Sequence, residues 1–496
     1  MLRAHRTKEA RTLDSKGRFG LTRLEWRWVL YDVGNSAFTL VAASLFALFF
    51  QNLVNCAMGA GPEATSYGDS LYAFAASMVT LGAVILEPLF GTLSDFKGFK
   101  RPLFLIFSLG GITGCIALGF KMQYVVWLVI LCVTKILYNG ALMIYDSMLV
   151  DVTTTDRADR ISSFGYAFGY IGSCIPFIIG VCIVAFGFTK WGLTPEQIAA
   201  GEAGMSHSLE VPWGYLICFV MNASWWLAFT LPLFFSFKQK LFIERSQGFF
   251  KTLGDSYKRI GKTIGQVKKN AGIFLFLIAF FFYIDAVYTI IDLAVKISGS
   301  LGVNQVMALI ALIAVQVIAF PATLSFAYIS KHYRTDVLIG ICIIGYLFIT
   351  TFAIFLDATW MFWVLAVSVG LFQGGIQSMS RSYLSQIIDP HESGEVFSLF
   401  DTFGKGASFL GTLLFSVINT ATGNTNLALI PLPCMVLVGG VLFVISSRMN
   451  RPALLKAKGK ASEQVEETTA ETVGAEAAVT EEAPQETEGT EESNEG

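Results

Sequence analysis

Twelve separate runs of mostly apolar residues, each long enough to cross a bilayer as a helix, leave this chain few ways to fold. They cover residues 28–54, 71–94, 103–120, 124–149, 161–187, 213–237, 273–297, 304–328, 336–356, 359–388, 396–420 and 425–447. A hydrocarbon core of about 30 Å takes roughly 20 residues of helix. None of the runs keeps the sustained polar face of a soluble helix, and none alternates over about ten residues as a membrane-barrel strand would. The expectation is an all-α integral membrane protein with twelve transmembrane helices. Composition agrees: 15% of the 496 residues are charged, against about a quarter in a soluble domain. The first run is too long for a signal peptide and has no small-residue cleavage site behind it.

Charge orients the chain. The formal net charge of -2 is a cancellation, because residues 461–496 hold 12 Glu and no Lys or Arg. Of the 35 Lys and Arg, 29 lie in connectors on one side of the spans and only Lys121, Lys190 and Lys296 on the other. Basic connectors face the cytoplasm, so both termini are expected there, in the plasma membrane if the cell is bacterial. Residues 1–27 form a basic N-terminus, 28–237 a first six-helix bundle, 238–272 a linker, 273–448 a second six-helix bundle and 449–496 a disordered acidic tail. In the linker, Phe250, Leu253, Tyr257, Ile260, Ile264 and Val267 recur at steps of three and four, with bases largely off that stripe. That pattern fits a helix lying on anionic headgroups and equally one packed on the floor of the bundle. Thr194-Pro195-Glu196 reads as the start of a short outer helix. Seven of the eight Cys lie in apolar runs and none forms a C-x-x-C pair, so they are expected to pack; no metal or cofactor is expected.

The halves echo each other. Ser163, Phe168, Gly169 and Ser173 recur 235 positions later as Ser398, Phe403, Gly404 and Ser408. Tyr145, Ser147 and Asp151 recur 238 positions later as Tyr383, Ser385 and Asp389. Parallel six-span repeats are one of the transporter architectures. Between spans 2 and 3 stands GTLSDFKGFKR, Gly91 to Arg101, which resembles the signature loop of the major facilitator superfamily. The resemblance implies a latch between the halves built from Gly91, Asp95, Gly98, Lys100 and Arg101, with Phe96 standing where a base is usual. YDVGNSAF (Tyr31 to Phe38), IYDSMLVD (Ile144 to Asp151), FGYAFGYIGS (Phe164 to Ser173) and GGIQSMSRS (Gly374 to Ser382) resemble motifs of the vacuole-effluxer, or autophagy-type permease, family. That resemblance favours amino-acid export.

Nine ionisable residues fall inside spans: Asp32, Glu87, Lys135, Asp146, Asp285, Asp292, Arg381, Asp401 and Lys405. Each costs roughly 2.5–3.5 kcal/mol at mid-membrane, so each needs a partner or a wet cavity. Six lie on spans 1, 4, 7 and 10, which line the central cavity in the superfamily resembled. Asp32, with Asn35 on the same face, is a candidate for substrate or proton binding, or for a structural pair with Arg381 or Lys135. Asp146 and Lys135 of span 4 join it; Lys135 would bind a carboxylate or neutralise Asp32 or Asp285. On span 7 the candidates are Asp285 and Tyr288, with Asp292 nearer the outer end. Arg381, with Gln377 and Gln373, forms a donor-rich stripe suited to an anion. Asp401 and Lys405, four apart, read as an internal ion pair, and Glu87 as part of the latch. Enzyme motifs and nucleic-acid patches are absent. The expected partners are the lipid bilayer, a small-molecule substrate and protons, and the expected state is a monomer. Two other readings stay open: a sugar, peptide or amphiphile transporter of the same fold, and a non-transporting receptor or scaffold.

Overall fold

The computed structural model of the chain describes residues 18–59, 61–185, 213–244, 254, 256, 258, 271–300 and 305–480. The expected outer helix at Thr194, the linker stripe from Phe250 to Val267 and the side chain of Asp292 lie outside the described residues.

Among the described residues, twelve long helices carry the fold. The first half holds α1 (Arg23–Met58), α2 (Pro62–Ser94), α3 (Lys100–Ala117), α4 (Tyr124–Ser147), α5 (Ala158–Ala185) and α6 (Trp213–Ser236). The second holds α7 (Ala271–Ser300), α8 (Gln305–Ile329), α9 (Thr335–Ala353), α10 (Thr359–Ile387), α11 (Ser393–Thr422) and α12 (Pro431–Thr480). Among the described residues, eleven helices are long and apolar enough to cross a membrane. α11 takes its place in the bundle packed on α2 and α7.

Local chemistry sets the ends. Thr22 and Glu25 form a capping box at the start of α1, Glu25 N donating to Thr22 Oγ1 at 3.2 Å and Thr22 N to Glu25 Oε2 at 2.7 Å. Glu25 also takes Arg157 Nη2 at 2.7 Å and Thr153 Oγ1 at 2.7 Å, which ties α1 to the α4–α5 turn. Each half has its own aromatic core, with Trp28, Phe46, Phe49, Trp127 and Trp226 in the first and Phe276, Phe280, Tyr283, Phe400 and Phe443 in the second. Lipid supplies no hydrophobic drive between helices, so this interlocking and the buried polar bonds do the holding. The halves meet along α5 against α8 and α10, and α2 against α11.

At the C-terminus α12 runs on to Thr480, through a stretch rich in Ala and Glu, which are among the strongest helix formers; residues 481–496 of the expected tail lie outside the described residues.

Candidate functional site

The end of the bundle at which the chain enters α1 and leaves the membrane part of α12 is called the latch end here. Just above it, Arg381 of α10, 1% exposed, reaches from the second half into the first. Its Nη1 donates to Asp146 Oδ1 of α4 at 2.8 Å and to Asp32 Oδ2 of α1 at 3.4 Å. Nη2 donates to Asp32 Oδ2 at 3.3 Å and to the Ser162 carbonyl at 3.0 Å, and Nε to Ser162 Oγ at 3.0 Å. All five guanidinium N–H groups therefore meet protein acceptors. The rings of Tyr166, Trp28 and Tyr145 lie 4.2, 4.7 and 5.7 Å from its centre. Space for this comes from Gly165 of α5, where an added Cβ would lie 2.5 Å from Asp32 Oδ2. The donor stripe expected to take an anion is thus already occupied: Arg381 is balanced by carboxylates, Gln377 accepts from Tyr170 OH at 3.0 Å and Gln373 donates to Gln316 at 3.3 Å. Tyr288 sits among the electrostatic neighbours of Tyr166 and Tyr170.

A polar chain leads away from the buried trio. Asn35 Nδ2 donates to Asp32 Oδ1 at 3.3 Å, and Tyr138 OH donates to Asn35 Oδ1 at 3.1 Å. Thr39 Oγ1 lies 2.8 Å from the same phenol. Thr39 and Ala43, one turn apart, are exposed in the middle of an otherwise buried stretch of α1. The carboxylate is therefore linked to open surface by three side chains.

Two candidates lie elsewhere. Lys135 stands with its ammonium 5.6 Å from the Tyr72 ring, toward α2 rather than the trio, so Asp32 takes its counter-charge from Arg381. Asp285, fully buried, accepts from Gly411 N of α11 and Thr289 Oγ1, both at 3.0 Å. It pins α7 to α11.

The latch loop closes the end below. Asp95 accepts from the first amides of α11, Gly394 N at 2.7 Å and Glu395 N at 2.9 Å, where the helix dipole favours an anion. A Cβ on Gly91 would fall 2.4 Å from the Gly394 carbonyl, so only glycine lets α2 and α11 approach this closely. Gly98 turns the chain at φ 80°. Lys100, fully buried, donates to Asp151 Oδ2 at 3.1 Å and across to Ser393 Oγ at 2.9 Å. Arg101 instead stacks 4.5 Å from the Phe234 ring. Phe96, in the place of the usual base, is buried and pairs with Ile243, while Lys97 meets Glu244 at 2.9 Å. Glu87, one turn before the loop on α2, adds a contact between the halves: Lys405 bonds it across α2 and α11 and also lies 3.2 Å from Asp401.

Several members of this end had not been singled out. Asp159 accepts from Ser382 Oγ at 2.5 Å, Gln386 Nε2 at 2.7 Å and Thr335 Oγ1 at 2.6 Å. Ser162 Oγ donates to the Ser378 carbonyl at 2.7 Å. The other Asp151 oxygen accepts from Lys240 N and Leu241 N at 2.8 and 2.9 Å, which docks the start of the linker under the latch. Asp151 had at least a signal, since it recurs in the second half as Asp389; Asp159, Ser162 and Tyr138 had none.

The comparisons with known proteins fit this geometry. The family described as vacuole effluxer, Atg22-like, matches residues 22–452. An uncharacterized MFS-type transporter, YxiO, of Bacillus subtilis is 30% identical over 85% of this chain and 94% of its own length. Autophagy-related protein 22-1 of Penicillium rubens is 26% identical over 56% of this chain and 49% of that protein, so the chain spans about half the length of that fungal relative. Among solved structures, the major facilitator transporter FucP in its outward conformation superposes with a TM-score of 0.61 at 13% identity, covering 86% of this chain and 98% of that one. The chain belongs to the Atg22-like vacuole-effluxer family and is a multi-pass transporter of the major facilitator type.

Proposed function

We propose that this transporter exports a small zwitterionic solute, an amino acid, from the cytoplasm, coupled to protons, with the latch end facing the cytoplasm. The observation that carries the reading is a charge count. Asp32 and Asp146 oppose the single cation Arg381 at a site shared by both halves, so one negative charge is left over. A buried charge left unbalanced is costly, and a proton or the ammonium of an amino acid would balance it. The chain through Asn35 and Tyr138 to Thr39 gives Asp32 a polar route to open surface. Alternating access then consists of rocking the halves about this site, which requires Arg381 to leave the first half. Two further observations support the reading: the family description names effluxers, and basic connectors crowd the latch side. The scaffold reading fits a collapsed apolar centre, and the centre here is charged.

The test is flux in proteoliposomes against a panel of amino acids, sugars and peptides, with and without a pH gradient. Asp32→Asn leaves Arg381 balanced by Asp146, so the protein is expected to express normally. Gradient-driven transport is expected to be lost. Undiminished driven transport in that variant would refute the assignment.

A further inference from the structure

A second cavity lies away from the central site, where α5 and α8 meet at the latch end. It encloses ≈ 230 Å³. Phe164 and Phe168 of α5 form one wall and Phe320 of α8 the other, Phe168 and Phe320 meeting edge to face at 5.6 Å. Phe19 closes one end, its ring 6.1 and 6.2 Å from those of Phe164 and Phe168.

Two cations border this apolar slot. Arg160, in the first turn of α5, lies 5.6 Å from the Phe164 ring, and Lys331, just past the end of α8, lies 5.2 Å from the Tyr328 ring. Among the described residues, no carboxylate lines the cavity. Of the acids near Arg160, Glu25 holds Arg157 and Asp159 takes Thr335, Ser382 and Gln386, while Asp156 is exposed in the turn before α5 beside Arg157. Lys331 and Tyr328 are exposed, so the slot opens at the outer surface of the bundle rather than at the buried trio. Both cations sit at helix ends, the depth at which headgroups lie.

We propose that this slot binds one anionic phospholipid of the latch-side leaflet, its phosphodiester on Arg160 and Lys331 and an acyl chain along the phenylalanines. A basic rim over an apolar wall complements that amphiphile and no other abundant component of a membrane. One wall belongs to each half, so the site is complete only while the halves are closed at the latch end. A ligand shifts an equilibrium by its differential affinity for the two states; the lipid therefore favours the closed latch and slows its opening. The leaflet assignment rests on the orientation proposed above, whereas the binding measurement does not depend on it or on the substrate.

The full chain, purified and delipidated, is titrated with phosphatidylglycerol, phosphatidylcholine or glycerol phosphate and read by native mass spectrometry. One phosphatidylglycerol is expected to be retained, at least about fivefold more tightly than phosphatidylcholine. The double variant Arg160→Gln/Lys331→Gln is expected to lose that preference, and glycerol phosphate is expected not to compete. Should the double variant not purify as folded protein, Leu324→Trp, which fills the slot and leaves both cations, is expected to give the same loss. Equal retention of the two lipids, an unchanged preference in the variants, or competition by glycerol phosphate alone would overturn the proposal.

Discussion

Replacing Arg381 by Met removes the one cation of the central trio while keeping an apolar stem of similar length. Both carboxylates then remain buried, Asp32 at 4% and Asp146 at 4% exposure, without counter-charge. Five hydrogen bonds across the two halves vanish with it. Removing one partner of a buried ion pair costs about 3–5 kcal/mol. The cost falls on the state in which the halves are closed at the latch end, because only there do α1 and α4 surround α10. Water entering the opened end recovers much of it. At about 1.4 kcal/mol per factor of ten, even about 3 kcal/mol moves the ratio of closed to open molecules by roughly a hundredfold. A distance measurement between spin labels reads this directly. Lys97 in the α2–α3 loop and Glu392 before α11 are exposed and belong to opposite halves; cysteines there, with the exposed Cys182 and Cys434 replaced by Ser, carry the labels. The wild type is expected to give one short distance and Arg381→Met mainly a longer one. Adding Asp32→Asn and Asp146→Asn to the same chain removes the stranded charges and is expected to restore the short distance without restoring transport. A folded Arg381→Met protein that keeps the wild-type distance would refute the trio as a gate.

Two other substitutions separate gating from coupling. Gly91→Ala puts a methyl 2.4 Å from the Gly394 carbonyl and the Ser398 Cβ, a backbone contact that cannot yield. The labelled pair is expected to report an open latch end in most molecules, with transport reduced at least about tenfold. Tyr138→Phe deletes the hydroxyl joining Asn35 to Thr39 while keeping the ring stacked 4.7 Å from Phe38. The melting temperature is expected to stay within about 3 °C of wild type, since a single neutral hydrogen bond contributes about 1 kcal/mol. The response of flux to a pH gradient is expected to flatten.

How much of this was legible in the sequence follows from what hydropathy reports. It gives the depth of a residue in the membrane and not its direction around the helix axis. The bundle, its division into halves and the pairing of Asp32 with Arg381 as one of two options were therefore accessible. The choice between Arg381 and Lys135 was not. Lys135 and Tyr138 are three positions apart on α4, about 60° around a helix of 3.6 residues per turn. That difference sends one side chain to Tyr72 and the other to Asn35. Asp159 was invisible for another reason: next to Arg157 and Arg160 it read as part of a solvated connector, whereas its partners lie 176 to 227 positions away. The latch residues were legible because their work is local. A glycine for close approach, a glycine for a turn and an acid for a helix start are properties of residue type.

The closing contacts share a polarity that the internal repeat does not dictate. Asp159 precedes Gly394 by the same 235 positions that separate Ser163 from Ser398, so the starts of α5 and α11 correspond. At the start of α11 two backbone amides donate to Asp95; at the start of α5 the carboxylate is Asp159 itself, and α9 and α10 donate to it. Strict symmetry would have put one acid on each half. Instead Asp32, Glu87, Asp95, Asp146 and Asp159 all belong to the first half, and their cross-half donors Arg381, Lys405, Gly394, Glu395, Thr335, Ser382 and Gln386 to the second. The bonds that run the other way, Ser162 to the Ser378 carbonyl, Tyr170 to Gln377 and Lys100 to Ser393, involve no acid of the second half. A carboxylate accepts more strongly charged than neutral. Loss of charge on Asp95 or Asp159 therefore weakens the junction it makes, whereas at the trio, where two carboxylates share Arg381, one of them can lose its charge and leave a balanced ion pair across the halves.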